Sequence, residues 1–127
     1  MSGYTEANHA PYLVSGPPSS GANLLTPDGM NCWLGAFPMP EHASVSCFGP
    51  RPDQGPGIWE VDARLKEQGT LIPQPNPPTD LHPAPLPPMH VVHYKSDVFC
   101  GVDDKGTTAC RVGDHGFVLT PTSTKLF

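Results

Sequence analysis

Proline and glycine constrain the fold of this chain more than any other feature of its sequence. The 127 residues include 18 prolines and 13 glycines, which is about a quarter of the chain against an average of about 12%. Because proline lacks an amide donor and interrupts helices, we expect extended segments joined by turns. Hydrophobic residues still make up 37% of the chain, enough to form a core. The composition predicts one small all-β or mostly β domain, an antiparallel sandwich or a barrel-like structure.

The charge balance restricts the classes of partner. Seven Lys and Arg residues face twelve Asp and Glu residues, for a net charge of −5. No basic run is present that could neutralise phosphates, so nucleic acid is not an expected partner. No apolar stretch approaches the roughly 20 residues of a membrane-spanning helix. We therefore expect no direct membrane span in this sequence.

The four cysteines form two local pairs. Cys32 and Cys47 are 15 positions apart, and Cys100 and Cys110 are 10 positions apart. Neither spacing resembles a C-x-x-C metal or redox motif, and an even cysteine count in a small chain favours disulfides formed in an oxidising compartment. We favour the pairing Cys32–Cys47 and Cys100–Cys110, because each pair can lie opposite across two adjacent antiparallel strands. The crossed pairings stay open as alternatives.

The N-terminal residues bear on localisation. An export signal contains an apolar stretch of about 7–15 residues, whereas residues 1–20 contain only the short apolar run from Tyr12 to Val14. We interpret residues 1–20 as a flexible tail or linker and residues 21–127 as one disulfide-stabilised β domain. On this hypothesis the signal or anchor has been removed, and the location is extracellular or the cell envelope. A cytosolic protein with free thiols is the alternative.

Alternating apolar and polar residues predict the strands. Trp59, Val61, Ala63 and Leu65 share one face at period two, with a short helix from 62 to 68 as the alternative. A hairpin turn is predicted at 103–106. We predict strands at 22–27, 31–34, 43–48, 58–65, 89–94, 98–102, 107–112 and 116–120. The ending 124–127 is also β-compatible, and its terminal aromatic residue, Phe127, is available to pack back on the sheet.

Residues 72–90 form a proline-rich segment. Its prolines remove backbone donors and favour polyproline II, so we predict a strap on the surface of the domain rather than a central strand. Two P-x-x-P sequences within it would indicate docking to an aromatic groove in an intracellular setting. A structural strap is the favoured interpretation.

Core residues are predicted from the same patterns. For the second cysteine hairpin we expect Phe99, Val102, Ala109 and Val112 in the core. A further four aromatic residues, assigned to the core in preference to a ligand groove, are Trp33, Phe37, Trp59 and Tyr94.

Several sequence blocks resemble a known group of proteins. The blocks are Leu25 to Cys32, Val45 to Cys47, Val98 to Cys110, and Asp114 to Leu119 with the closing Leu126-Phe127. They are similar to uncharacterised actinobacterial, mycobacterial-type exported proteins and lipoproteins, with phrases of the type F-x-[ST]-P-S-G-N-I-x-C and G-H-G-F-x-L-S. The resemblance is strongest in the C-terminal half, and it implies export to the cell envelope and a disulfide-stapled β domain. It implies no activity or ligand.

A weak internal echo accompanies these blocks. The stretch Asn23 to Pro27 is similar to the stretch Phe117 to Pro121, and each is next to a cysteine hairpin in the sequence. The echo predicts two related β units.

Three histidines are the candidate metal ligands. His82, His90 and His93, with Asp80 upstream, offer the nitrogen and oxygen donors that zinc prefers. On a strand, however, His90 and His93 point to opposite faces, so surface or packing roles are favoured and no metal or cofactor is predicted. His115, between glycines, is assigned to a structural turn.

The leading functional hypothesis is a binding domain. The sequence contains no G-x-S-x-G element and no phosphate-binding glycine motif, so we predict no catalytic residue and no enzyme. We expect a secreted or cell-envelope-associated non-enzymatic domain that binds a protein or an envelope component. One alternative is a small zinc hydrolase using His82, His90 and His93. Another is a structural or accessory extracellular domain of a larger membrane-linked protein.

Overall fold

Strands alone build the part of the chain that the structure describes. A computed structural model describes residues 5–6, 13–14, 21–27, 29–35, 43–51, 53–65, 67–76, 83–94 and 98–127. These ranges form thirteen strands and no helix, which confirms the prediction of an all-β fold. No helix that could span a membrane occurs within them.

The first of two sheets, sheet A, has six strands in the order β1-β9-β10-β11-β12-β13. All neighbouring strands are antiparallel except β1, which runs parallel to β9. The strands are β1 (Thr5–Glu6), β9 (His90–Tyr94), β10 (Val98–Val102), β11 (Thr108–Val112), β12 (His115–Leu119) and β13 (Thr124–Leu126).

The second sheet, sheet B, has seven strands along the path β2-β3-β4-β5-β6-β7, with β8 also paired to β3. The strand β8 runs parallel to β3, and the other pairs are antiparallel. The strands are β2 (Leu13–Val14), β3 (Gly21–Leu25), β4 (Asn31–Gly35), β5 (Ser44–Arg51), β6 (Gly55–Arg64), β7 (Glu67–Pro73) and β8 (Ala84–Pro85).

The two sheets repeat one arrangement. Each contains a five-strand antiparallel meander, β3 to β7 in sheet B and β9 to β13 in sheet A, with a disulfide between its second and third strands. Cys32 pairs in register with Cys47, and Cys100 with Cys110, so the favoured connectivity is confirmed. The echoed sequence phrases lie on β3 and β12, whereas the topological counterpart of β3 is β9. The fold is therefore repeated, but not along the residues that the echo matched.

The sheets pack face to face around a core that includes both disulfides. The Sγ atoms of Cys32, Cys47 and Cys110 all lie within 4.8 Å of one another, so the two cross-links meet at the centre of the sandwich. Around them pack buried side chains from both sheets, among them Leu24, Leu34, Val45, Val61, Val92, Val98, Val102, Val112, Phe117 and Leu119. A closed apolar layer of this kind supplies most of the stability of a sandwich.

Two of the four residues predicted for the core beside the second cysteine pair do not belong to it. Val102 and Val112 are fully buried, but Phe99 and Ala109 are only half-buried. They have the opposite parity to the inward-facing Cys100, and successive strand residues point to opposite faces.

The aromatic predictions divide in a similar way. Trp33 and Trp59 are partly exposed and do not belong to the core cluster, so their assignment to the core is wrong. Trp33 lies on the outward face of β4, because its neighbours Cys32 and Leu34 face inward. Trp59 lies on β6, in the half of the long β5–β6 hairpin that is nearer its turn. Phe37 and the side chain of Tyr94 lie outside the described residues.

The strand predictions hold closely in the C-terminal half and less closely in the middle of the chain. Residues 62–64 belong to β6 and Glu67 begins β7, so the helical alternative at 62–68 is wrong. The predicted strap begins within β7, which ends at Pro73, and returns as β8 beside β3. Leu86 within it is buried in the core. Residues 77–82 of the strap lie outside the described residues.

Two segments of the predicted tail pair with the sheets. Thr5–Glu6 pairs with His90 and Val91 of β9, and Leu13–Val14 pairs with the first residues of β3. The other residues of the stretch 1–20 lie outside the described residues.

A buried arginine connects the two sheets at one end. The Arg51 side chain, 0% exposed, donates hydrogen bonds to the carbonyl oxygens of Thr120 and Ser123 at 2.8 and 2.6 Å, and to Thr124 Oγ1 at 2.8 Å. The Asp53 carboxylate lies 3.6 Å from the same guanidinium. A buried charge is tolerated only with such partners, and these contacts connect the β5–β6 hairpin to the β12–β13 turn.

Candidate functional site

The structure separates the candidate metal ligands. His90 Nδ1 lies 2.9 Å from the carbonyl oxygen of Pro88, whereas His93 Nδ1 lies 2.7 and 2.9 Å from the two carboxylate oxygens of Glu6. The regular pairing of β9 with β10 places the two rings on opposite faces of sheet A. His82 and Asp80 lie outside the described residues.

A different group meets the distance criterion for a metal site. Within the described ranges, the only three His, Cys, Asp or Glu ligand atoms close enough to share an ion are the sulfurs of Cys32, Cys47 and Cys110. All three are bonded in disulfides. A disulfide sulfur is not a thiolate, so this group does not have the chemistry of a zinc site.

His115 differs from its predicted role. The turn lies at residues 113–114, and His115 begins β12. Its Nδ1 is buried with no hydrogen-bond partner. The tight turn predicted within 113–116 is therefore present, with Gly113 at the positive φ that it requires, but His115 belongs to the strand that follows the turn.

The outer face of sheet A carries a row of side chains that crosses its strands. His93 pairs in register with Phe99, Phe99 with Arg111, and Arg111 with Gly116. Gly116 and Phe127 continue the row through mutual main-chain hydrogen bonds of 3.1 and 3.0 Å. Residues that pair in this way lie side by side on one face. In this row, Arg111 lies between Phe99 on one side and Phe127 on the other.

A shallow groove of about 210 Å³ lies within this row. Phe99, Arg111 and Phe127 form its walls, and Ala109 with Cys110 lines the rest. A Cβ added at Gly116 would lie 2.9 Å from Cζ of Phe127, which shows that this ring lies over the glycine.

The polar groups around the groove are held in place on both sides. The Arg111 Nε donates to the carbonyl oxygen of Gly113 at 2.7 Å, and its side chain is 50% exposed. The His93 and Phe99 ring centroids are 5.0 Å apart with the planes tilted by 35°, so the Glu6–His93 contact also positions the Phe99 wall. Lys125, exposed, belongs to the same outward face as Phe127. The groove therefore combines apolar walls with basic side chains.

A second and larger cavity lies at the far end of the β5–β6 hairpin. It measures about 390 Å³ and is lined by Pro56, Gly57, Ile58, Trp59, Pro73 and Pro75. None of these lining residues carries a charge, and its one side-chain donor, Trp59 Nε1, is directed at the carbonyl oxygen of Gly55 at 3.4 Å. Binding sites require a few convergent polar groups to orient a ligand. The smaller groove on sheet A is therefore the better candidate site.

Sequence reasoning missed this groove. Phe99 and Ala109 were assigned to the core, and Arg111 was not singled out. One signal could have found them: if Cys100 and Cys110 face inward, then Phe99 and Arg111 face outward. The packing of Phe127 on the sheet agrees with the expectation for the terminal aromatic residue, whereas its place over Gly116 depends on the pairing of the C-terminal residues with β12.

Comparisons with known proteins add no relative. No protein-family model, no curated protein and no solved structure matches this chain. Function is therefore inferred from the fold and from the chemistry of the side chains.

Proposed function

We propose that this protein is a secreted or cell-envelope-associated, non-enzymatic domain that binds a protein or an envelope component through the groove on sheet A. The carrying observation is the outward-facing row of half-buried Phe99, exposed Arg111 and exposed Phe127. Phe127 is 41% exposed and is one of three exposed large hydrophobic residues among the described residues. Aromatic residues and arginine are enriched at the centres of protein interfaces, and grouped exposed apolar side chains mark interaction sites.

The disulfides support the proposed location. Both bonds lie in the core, with their cysteines at most 1% exposed. Disulfides persist in oxidising compartments and are rare in the cytosol, so they are consistent with an extracytoplasmic location. The resemblance to actinobacterial exported proteins favours the cell envelope among such locations.

The zinc hydrolase alternative gains no support from the described residues. Its two described ligands, His90 and His93, point away from each other and make separate contacts with Pro88 and Glu6. A hydrolytic zinc needs three protein ligands around one point.

Localisation is tested by the oxidation state of the cysteines in the producing cells. Cells are quenched with acid, fractionated into cytoplasm, envelope and medium, and treated with a maleimide polymer that adds mass at each free thiol. We expect the protein in the envelope or the medium, with no added mass until a reductant is supplied. Fully alkylated protein confined to the cytoplasm would refute the proposed location.

Binding is tested by sedimentation with envelope preparations from the same organism. The folded protein is mixed with intact envelopes and with envelopes stripped of protein by protease. We expect the wild type to sediment and Phe99→Ser to stay in the supernatant. Arg64→Gln is the matched control, because Arg64 is exposed and lies on the other sheet. Equal sedimentation of Phe99→Ser and wild type would refute a role for the groove.

A further inference from the structure

We infer that the groove on sheet A binds an acidic peptide segment of a partner protein. One aromatic or large aliphatic side chain of the segment lies between Phe99 and Phe127, and its carboxylates pair with Arg111 and Lys125. This inference rests on the proposed function and names the chemical class of its ligand.

The size of the groove fits one side chain. Pockets for cofactors and drug-sized ligands measure about 300–1,000 Å³, whereas this groove measures about 210 Å³ and is shallow. Its two aromatic walls offer apolar contact to a ring or a branched chain, and aromatic pairs gain from offset or edge-to-face contact. A single anchoring residue of a longer segment is the occupant that such a site accommodates.

The charge on this face selects acidic segments. The outward positions of β9 to β13 hold Arg111 and Lys125 and, among the described residues, no Asp or Glu. Glu6, on the neighbouring β1, contacts His93. Asp114 lies 3.9 Å from Arg111, so the two basic side chains beside the groove share this face with two carboxylates, each of which lies next to a partner side chain. On the outer face of sheet B, Glu60 and Asp62 lie on β6 together with Arg64, whose guanidinium is 3.7 Å from the Asp62 carboxylate.

Arg111 is oriented to receive a carboxylate. Its Nε donates to Gly113, which fixes the direction of the guanidinium, and Nη2 is 3.9 Å from the fully exposed Asp114 carboxylate. An exposed ion pair at that distance contributes little, so the terminal nitrogens remain able to pair with the carboxylate of a ligand. Guanidinium and carboxylate form paired, charge-assisted hydrogen bonds.

Polyanions fit this face less well than a short acidic segment. Nucleic acid and anionic membranes are held by many basic residues acting together, and the groove offers Arg111 and Lys125 on a protein of net negative charge. The charge of the whole chain opposes long polyanions, whereas a segment with two or three carboxylates is short enough to contact only Arg111 and Lys125 beside the groove.

The test is a titration of the ¹⁵N-labelled protein followed by NMR. The probe is a pentapeptide with a central phenylalanine flanked by aspartates and glutamates and blocked at both ends. We expect amide shifts confined to residues 99, 109–111, 116 and 127, with affinity falling about tenfold between low and physiological salt. Shifts confined to the Trp59 cavity would overturn the inference.

Three further probes define the specificity. A peptide with a central alanine and a peptide with lysines in place of the acids should each bind about tenfold more weakly or not at all. A heparin fragment tests for a general polyanion site. Equal binding of the basic peptide, or tighter binding of heparin than of the acidic peptide, would overturn the inference.

Variants connect the binding to the named side chains. Arg111→Gln and Phe99→Ser should each weaken the acidic peptide about tenfold, whereas the control Arg64→Gln should not change its affinity. Sedimentation velocity without peptide tests whether a second copy of the chain occupies the groove. A dimer that Phe99→Ser dissociates would assign the groove to self-association and overturn the inference.

Failure of this inference can be separated from failure of the proposed function. If envelopes still sediment the wild type and not Phe99→Ser, while the acidic peptide does not bind, then the groove is the binding site and its ligand belongs to another class. If envelopes sediment both proteins equally, the proposed function fails at this groove whatever the peptide does.

Discussion

The guanidinium of Arg51 donates a hydrogen bond of 2.6 Å to the main-chain carbonyl oxygen of Ser123. The two residues belong to different sheets and are 72 positions apart in the sequence. This contact lies at the end of the sandwich, where the long β5–β6 hairpin meets the turn before β13. A polar contact between the two sheets thus adds to the apolar contacts of the core.

Arg51→Met should lower the free energy of unfolding by about 3 kcal/mol, because the carbonyls of Thr120 and Ser123 lose a charged donor in a buried setting. Urea denaturation monitored by circular dichroism measures the change. Arg64→Met is the control, since the Arg64 side chain is 64% exposed and should contribute less than about 0.5 kcal/mol. Equal stability of the two variants would show that the Arg51 contacts contribute nothing.

Removing either disulfide should destabilise the domain. The double variant Cys32→Ala with Cys47→Ala removes a cross-link between residues 15 positions apart. The double variant Cys100→Ala with Cys110→Ala removes one between residues 10 positions apart. We expect each to cost about 2–4 kcal/mol through the larger entropy of the unfolded chain. Urea midpoints with and without a reductant measure this. A wild type whose midpoint does not change on reduction would contradict the expectation.

Asp103 should make stability depend on pH in the acid range. The main-chain N–H of Thr107 donates to its carboxylate and lowers the pKa of Asp103; slight burial opposes this, and the Lys105 N–H adds to the lowering. A pKa below the unfolded value of 3.8 stabilises the fold above that pH, and the contribution is lost as pH falls through the folded pKa.

The variant Asp103→Asn measures this contribution. Asparagine keeps an acceptor for the two amides but has no charge, so the stability advantage of the wild type should shrink between about pH 5 and pH 2. Thermal melts at half-unit steps of pH follow it. Asp104→Asn, in the exposed adjacent position, is the matched control. A wild-type advantage that grows as the pH falls would contradict the assignment.

Gly116→Ala should destabilise the protein by about 1–3 kcal/mol, as overpacking does. The added Cβ would press on the main-chain oxygen of Cys110 and on the Phe127 ring. The double variant Gly116→Ala with Phe127→Ala separates the two contacts. It should recover little stability, since the Cys110 carbonyl belongs to the fixed backbone of β11. Full recovery would show that the ring is the only obstacle.

Local patterns predicted the strands around the cysteines well. The strands at 98–102 and 108–112 were predicted to within one residue, because the cysteine spacing and the turn at 103–106 define a short hairpin. The short strands β1 and β2 could not be predicted in this way, since each is two residues long and depends on a distant partner. Polar Arg51 at the end of β5 likewise gave no sign that its partners lie 69 to 73 positions later.

The candidate site was harder to predict than the fold. Aromatic residues are more often core than surface, and that rule misplaced Phe99 and Trp33. Periodicity alone could have corrected Phe99, since it alternates with Cys100. The groove itself also requires Phe127 to lie over Gly116; the β-compatible ending predicted that this ring packs on the sheet, but not which strand residue it covers.

The placement of the disulfides has a consequence for limited proteolysis. Each bond joins two neighbouring strands of the same sheet, and neither crosses the interface between the sheets. A single cut between β7 and β8 would therefore yield an N-terminal and a C-terminal fragment, each closed by its own cystine and with no covalent bond to the other. In the cleaved protein, β1 of the N-terminal fragment would still pair with β9, and β8 of the C-terminal fragment with β3. Such non-covalent contacts alone would hold the two fragments together, so denaturant without any reductant would separate them.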